Sequence, residues 1–560
     1  MTKKTVTIVM AQTNLLVGDI GGNTDRVLSA ASEAAGQGHD VIVFPELTLT
    51  GYPPEDLLFR DSLQIRVDHA MKRIRESRLP IVIVVGLPWK EDGRLFNALA
   101  VIDGGECVAV YRKQSLPNYE VFDEPRYFTP GFSPCVVNIR GIPVGFTICE
   151  DMWDGIPLEQ VSQAGAKLLI NINASPYHHG KGAERRALLS ERARFLQMPI
   201  LYVNLVGGQD ELVFDGQSLA IAASGECCFE APAFTDGAYP VEVEMSVHGV
   251  CSVRAIEGLE GGCSDLSVHA PWSLEDICYQ ALVRGVRDYV GKNGFRSVVL
   301  GLSGGIDSAL TLAIAVDALG AERVESIMMP FEHTSGLSVE LAEEQSATLG
   351  VDYRAIPIVD VYHGFMRALA DEFAGLPADV TEENLQARCR GVILMAISNK
   401  KGALVLTTGN KSEIAVGYST LYGDMAGGFN VLKDVYKTLV YRLSRYRNHL
   451  AEQRGEAEAI PVRVIERAPS AELAPGQQDS DSLPPYDRLD RILSLYIEHD
   501  YSADAIEAQG YAREEVHRVI NLVDRNEYKR RQGPVGIRLT RKGFGRDRRY
   551  PITNGWRPGE

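Results

Sequence analysis

A chain of 560 residues carrying 57 Lys and Arg against 74 Asp and Glu has a formal charge of −17. At about 150 residues per domain it has room for two large domains or about three to four average ones. With 45% hydrophobic and 23% charged residues it can bury a sizeable core, which excludes a disordered, collagenous or low-complexity chain. The acidic balance argues against sequence-independent binding to nucleic acid or to an anionic membrane, both of which need a basic face. Nine cysteines are too sparse for a disulfide framework and form no Cys-x-x-Cys or Cys/His pattern for zinc. The apolar run at Val6–Ala11 is short and broken by Thr7, so it reads as a first strand and not a signal peptide. No uninterrupted apolar stretch approaches the ~18 residues of a membrane span, and the chain reads as a soluble cytoplasmic protein.

In chain order, the first half predicts strands at Thr5–Met10, Val41–Phe44, Ile81–Val85, Ala98–Ile102, Cys135–Ile139, Val144–Ile148, Leu168–Asn171 and Ile200–Asn204. Helical stretches at Asn23–Glu33, Asp61–Glu76 and Lys181–Leu196 lie between some of them, and several strands are sequence neighbours, so hairpins accompany crossovers in an α+β layered domain. Glu257–Cys263 is rich in glycine, and Ser273 with Asp276 three residues later is a helix-capping signature. The domain boundary is placed near residue 265, giving domains of 1–264 and 265–560. Beyond it, a helix at Glu275–Tyr289, a strand at Ser297–Leu302, a helix at Ser308–Leu319 and a strand at Glu325–Met329 alternate. A helix at Val339–Leu349, a strand at Tyr353–Ile356, a helix at Asn384–Asn399 and a strand at Ala403–Thr407 continue the pattern, which predicts a doubly wound parallel sheet. Pro469–Tyr486 has the composition of a solvated loop, although long loops of this kind also serve as lids.

The octet Gly301-Leu302-Ser303-Gly304-Gly305-Ile306-Asp307-Ser308 follows an apolar strand and opens an apolar helix. Glycines there let backbone N–H groups converge on a phosphate, and Ser303 and Ser308 add hydroxyl donors. It lacks the Gly-Lys-Ser/Thr ending of a Walker loop, and Asp307 would repel phosphate unless magnesium lies between them. The octet resembles the pyrophosphate loop of ATP pyrophosphatases. With Glu383–Arg388, Thr407–Glu413, Val416–Asp424 and Tyr528–Arg530, residues 275–560 resemble the NAD synthetases. The resemblance implies ATP on the 301–308 loop and Thr408. Around deamido-NAD it implies Asn384, Arg388, Glu413, Tyr418, Ser419, Thr420, Leu421, Lys433 and Lys529. It also implies Mg²⁺ arriving with ATP at Asp307 and Glu413, no tightly bound organic cofactor, and a homo-oligomer. The family more often has a Ser, Arg, Tyr pattern after the proline in Met329–Ser335, so that segment is left out of the site. The basic tail Lys529–Arg549 holds nine Lys and Arg against one acidic residue. It reads either as a solvated or internally paired surface or, at Lys529, as a phosphate contact.

Three strings in the first half stand at or just past apolar β-type runs: Phe44-Pro45-Glu46, Tyr111-Arg112-Lys113 and Thr147-Ile148-Cys149-Glu150-Asp151. Singly, each is bland: an exposed carboxylate, a surface lysine, a buried thiol. Together they resemble the Glu-Lys-Cys triad of the nitrilase, or carbon–nitrogen hydrolase, family and imply an αββα sandwich. Glu46 would then be the general base, Cys149 the nucleophile, and Lys113 the cation that stabilises the tetrahedral oxyanion. Tyr119, Glu120, Ser175 and Lys181 would contact glutamine. His178 and His179 lack the further ligands that a metal site needs. Adenylating a carboxylate makes an electrophile but supplies no nitrogen, and cleaving an amide supplies it, so the two halves complement each other. The alternatives are another ATP-pyrophosphatase amidotransferase, such as a GMP-synthetase-like or tRNA-thiolating enzyme, and a catalytically silent nucleotide-binding scaffold. The thiolating option predicts further cysteines after the nucleotide loop, where Cys389 stands alone.

Overall fold

The computed structural model describes residues 4–246, 251–256, 273–470, 472–474, 479 and 483–556. The chain divides into two units, one of residues 1–209 and 213–272, the other of residues 210–212 and 273–560. The expected boundary near residue 265 lies outside the described residues.

Strict alternation along the N-terminal strands builds the first unit. In Lys4–Gln12, Val6, Ile8 and Met10 face one way, and Val9 and Ala11 the other. This strand is the third of a seven-stranded sheet, ordered Cys251–Ala255, Gly237–Met245, Lys4–Gln12, Val41–Val43, Val82–Glu91, Arg94–Asp103, Glu106–Arg112. A six-stranded sheet runs Cys227–Glu230, Leu219–Ile221, Ile200–Asn204, Leu168–Asn173, Ile142–Ile148, Cys135–Ile139. Ile8, Val43 and Val84 of the first sheet pack in one core with Phe146, Ile170 and Leu201 of the second. Each fully buried side chain of this size contributes about 1.5–3 kcal/mol.

Outside the first sheet lie the helices Ile20–Gly36 and Asp61–Ser77; outside the second lie Gly155–Gln163 and Lys181–Leu196. The first of these begins where Asp19 accepts Gly22 N–H at 3.0 Å. It buries Ile20, Val27, Ala31 and Ala34, one stripe at helical spacing. The layers are therefore αββα, as the nitrilase resemblance implies. The helix Asp61–Ser77 ends at Arg78, whose φ of +47° breaks the repeat. Gly237–Met245 has no counterpart among the predicted strands. Tyr239, Val241 and Val243 alternate with Pro240, Glu242 and Glu244, and the strand pairs antiparallel with Lys4–Gln12 along its whole length.

In the second unit five strands, all parallel, are ordered Asp352–Ala355, Val324–Met328, Val298–Gly301, Leu404–Thr407, Phe429–Asn430. The chain enters at the middle strand, winds outward to one side, then returns to the other. The strand ends of Val298–Gly301 and Leu404–Thr407 thus border the switch point where ligands bind in such sheets. The helix Ile306–Leu319 is apolar on nearly every side and is buried accordingly. Ser273 caps the helix Leu274–Lys292 by accepting Asp276 N–H at 3.1 Å, as the sequence predicts. Helices Tyr486–Ile497 and Arg513–Arg525 pack Leu489, Leu493, Val516 and Ile520 against Ala415 and Val416 of the short helix Lys411–Val416. The basic tail is largely paired within the unit: Arg530 and Arg548 with Glu527, and Arg538 with Asp547. No helix among the described residues is long and apolar enough to cross a membrane.

Candidate active sites

In the first unit, Val41–Val43 ends three residues before Glu46, Glu106–Arg112 ends directly before Lys113, and Ile142–Ile148 ends directly before Cys149. Rigid strands thus deliver all three side chains to one end of the sandwich. Lys113 Nζ donates to Glu46 Oε1 at 2.8 Å and, equally, to Glu124 Oε1 at 2.8 Å, and its side chain is 0% exposed. Asn97 Nδ2 donates to Glu46 Oε1 at 2.7 Å and to Glu124 Oε2 at 3.4 Å, while Ala174 N–H binds Glu46 Oε2 at 3.0 Å. Glu124 and Asn97 belong to the cluster but escape sequence reasoning, because nothing in their spacing links them to Lys113.

Burial alone would strip Lys113 of its proton; Glu124 and Glu46 reverse that and hold it cationic, well above the usual lysine range. Burial, with repulsion from Glu46, lifts Glu124 to about 7 against the pull of Lys113. Burial and Glu46 likewise push the Cys149 thiol well above its ordinary value, so the resting sulfur keeps its proton. A base must therefore remove it, and Glu46 belongs to the same buried cluster. Cys149 has a φ of +43°, a conformation costing about 1–3 kcal/mol in a non-glycine residue and typical of functional turns.

Tyr119 OH donates to the Glu150 carboxylate at 2.9 and 3.0 Å and is half-exposed. Lys181 lies 4.2 Å from the centre of the Trp153 ring and 3.6 Å from Glu184; burial pulls its pKa down, with Glu184 opposing. Cys149 and Glu120 fall within electrostatic reach of both Tyr119 and Lys181. Ser175 is buried, its N–H on Asn204 Oδ1 at 3.0 Å. All four expected glutamine contacts thus gather near Cys149 or the strand ends beside it. Glu150, adjacent to Cys149 and bonded to Tyr119, is a further candidate that the sequence reading passed over.

At the switch point of the second unit, Ser303 and Ser308 hydroxyls lie 3.0 Å apart, and Gly305 N–H donates to Ser303 Oγ at 3.2 Å. Gly304 takes a φ of +76°, and a Cβ there would fall 2.3 Å from the Ser338 carbonyl oxygen, so only glycine fits. The loop borders a cavity of about 590 Å³, within the range of small-ligand sites. Of the expected residues, all of 301–308 except Gly304 line it, together with Thr408, Asn384, Glu413, Tyr418, Ser419, Thr420 and Lys529.

Arg388, Leu421 and Lys433 are not on this wall. Arg388 Nε donates to the Leu421 carbonyl at 3.3 Å. Lys433 Nζ donates to the Pro534 carbonyl at 2.6 Å and borders a small recess of about 20 Å³. Lys529, though on the wall, donates to the carbonyls of Gly417 at 2.8 Å and Ser419 at 2.9 Å. The Met329–Ser335 segment, left out of the site on sequence, supplies Met329 and Thr334 to the wall. Pro469, Ser470, Glu472, Leu473 and Asp479 of the predicted loop line it too; residues 471, 475–478 and 480–482 lie outside the described residues.

The charged centre of this cavity is a residue the sequence reading missed. Lys437 Nζ donates to Asp307 Oδ2 at 2.5 Å and to Glu413 Oε1 at 3.0 Å, and Asn410 Nδ2 binds Asp307 Oδ1 at 2.9 Å. Tyr486 covers the ammonium with its ring centre 5.3 Å away and donates to Asp479 at 2.7 Å. Burial lifts Glu413 to about 7; Lys437 pulls it back while Asp307 and Asp479 push it further. One lysine leaves an excess of negative charge among three carboxylates. Magnesium takes oxygen ligands, usually one or two carboxylates with phosphate oxygens, and the donor chemistry of Asp307 and Glu413 fits it.

Family models match both halves: carbon–nitrogen hydrolase over residues 5–250 and NAD synthase over residues 278–533. The chain is 48% identical to the glutamine-dependent NAD(+) synthetase of Acinetobacter baylyi, with 99% of each chain covered. It is 44% identical to that of Aquifex aeolicus over 98% of this chain and 99% of the relative. The solved glutamine-dependent NAD+ synthetase of Acinetobacter baumannii, in complex with adenosine diphosphate, superposes with a TM-score of 0.78 at 46% identity, covering 100% of both chains. That from Cytophaga hutchinsonii, at 22% identity and a TM-score of 0.82, shares the fold. With both half-families in order along one chain and full-length identity near one residue in two, the chain belongs to the glutamine-dependent NAD(+) synthetases.

Proposed function

We propose that this chain is a carbon–nitrogen ligase that amidates deamido-NAD to NAD with nitrogen from glutamine, consuming ATP and releasing AMP, diphosphate and glutamate. In the first unit Glu46 takes the Cys149 thiol proton as sulfur attacks the side-chain amide carbon of glutamine. Lys113, held cationic, stabilises the oxyanion, and such preorganised charge is usually the largest catalytic contribution. The proton on Glu46 passes to the departing nitrogen, ammonia leaves, and a thioester remains. Glu46 then deprotonates the water that hydrolyses the thioester to glutamate. Tyr119, Glu120, Ser175 and Lys181 orient the amino-acid end of the substrate.

In the second unit the backbone and hydroxyls of 301–308 hold the ATP phosphates. The nicotinate carboxylate attacks the α-phosphorus, diphosphate departs, and ammonia displaces AMP from the mixed anhydride. Lys437 is placed to offset charge that builds on the phosphates; positioning and neutralisation are the protein's main contributions to such transfers. Asp307 and Glu413 would hold the magnesium that accompanies ATP, whose chemistry is to neutralise the phosphate oxygens.

The observation that carries this reading is the fully buried Lys113 shared by two carboxylates next to a strand-end cysteine, in a chain with a phosphate-type loop at its parallel sheet's switch point. The test is product analysis with ATP, deamido-NAD and glutamine labelled with ¹⁵N in its side-chain amide. The label is expected in the carboxamide of NAD. Unlabelled NAD, or AMP release only with xanthosine monophosphate or tRNA as acceptor, would overturn the reading.

A further inference from the structure

Two residues beyond Cys149 lies Asp151, fully buried, with both carboxylate oxygens saturated. Oδ2 accepts Ile148 N–H at 3.0 Å and Tyr111 OH at 2.8 Å. Oδ1 accepts Ser115 N–H at 2.8 Å and Gln114 N–H at 3.1 Å. Ile148 immediately precedes Cys149, and Gln114 and Ser115 immediately follow Lys113. One carboxylate therefore grips the backbone next to both reacting groups, which otherwise come from strands of different sheets. Two more bonds tie the same segments: Ser115 Oγ donates to Asp154 Oδ2 at 2.9 Å, and Gln114 Nε2 to Gln160 Oε1 at 3.0 Å. The left-handed backbone of Cys149 needs such outside restraint, because its own preference would unwind the turn. Burial raises the Asp151 carboxyl to about 6, with the Ser115 and Ile148 N–H bonds opposing, so it is acceptor-only above that pH.

We propose that Asp151 is a positioning residue for amide cleavage: it sets Cys149 relative to Lys113 without touching glutamine. The inference rests on the amidase reading of the first unit. An asparagine in its place keeps one acceptor oxygen but turns an NH₂ group toward N–H or O–H donors on the other side. One end of the bridge opens whichever way the amide faces.

The experiment uses the full chain with Asp151→Asn or Tyr111→Phe, and measures glutamine hydrolysis, alkylation of Cys149 by iodoacetamide followed by peptide mass spectrometry, and deamido-NAD-dependent ATP–pyrophosphate exchange. For Asp151→Asn, kcat for hydrolysis is expected to fall about 10²-fold, the cost of misplacing a catalytic group by about 1 Å, with the glutamine KM nearly unchanged. Cys149 alkylation should slow in step, and the exchange reaction should keep its rate. Tyr111→Phe removes one donor of four and should lower kcat by a smaller factor at unchanged KM; it decides the matter if Asp151→Asn does not fold. Unchanged kcat, a raised KM at constant kcat, or an exchange rate that falls in parallel overturns the role of Asp151. Absence of hydrolysis in the unmodified chain would instead remove the amidase reading itself.

Discussion

In the first unit Lys113 bridges Glu46 and Glu124, with no side chain more than 6% exposed. In the second, Lys437, Asp307 and Glu413 meet in the same two-carboxylate pattern, but on the wall of a cavity of about 590 Å³. Both use one lysine to hold two acids, and the chemistry differs because of the space beside them. A covalent attack on a small amide needs a fixed cation and a base within one dry cluster. An adenylation between two large nucleotides needs room first, and charges that change partners when phosphates arrive.

The largest expected effect separates the units. Cys149→Ala should lower glutamine hydrolysis by about 10⁴-fold or more, the scale seen when a covalent nucleophile is removed. Deamido-NAD-dependent ATP–pyrophosphate exchange should be unaffected; a parallel fall would break the comparison. Next, Lys437→Ala leaves Asp307 and Glu413 facing each other without a cation. Exchange should fall about 10²–10³-fold, the range for losing one electrostatic stabiliser, while glutamine hydrolysis keeps its rate.

A subtler contrast concerns pH. Burial lifts Glu124 from 4.5 to about 7, so between these values the folded chain holds a proton that the unfolded chain has lost. Stability from that proton is complete below the unfolded value and vanishes as pH rises through about 7. Glu124→Gln mimics the protonated acid, so its thermal midpoint should drop less than that of the unmodified chain between about pH 5 and about pH 8. Equal drops in the two proteins would refute the shift. The smallest effect is expected at Lys529. Because it clamps the carbonyls of Gly417 and Ser419, Lys529→Ala should lower turnover about tenfold, the worth of a charged hydrogen bond or so, and leave the KM for deamido-NAD little changed. A raised KM at constant turnover would make it a direct substrate contact instead.

Sequence carried the layers and the 301–308 loop well, for local reasons. The β-alternation of Val6–Met10 and the octet at 301–308 announce their roles within a few residues. Glu124 and Asn97 do not, since they meet Lys113 only across loops and strand pairs. Lys437 stands four residues from Lys433 in one string; the sequence reading named Lys433, which borders the small recess, while Lys437 lines the main cavity. Lys437 opens the helix Lys437–Arg454, where the helix dipole disfavours a cation, and Asp307 and Glu413 offset that. Gly237–Met245 went unpredicted although Tyr239, Val241 and Val243 alternate along it; its partner Lys4–Gln12 lies more than 200 residues away, so its nine pairs are invisible locally.

The charge held around Lys113 also bears on how the first centre clears itself. Glutamine presents an uncharged amide to two acids and one lysine. Hydrolysis turns that end into a carboxylate, placing a further acid beside a cation that Glu46 and Glu124 already share, where little water screens them. Charge alone therefore favours the neutral amide over its acid product beside Lys113, so turnover weakens the hold on the spent donor.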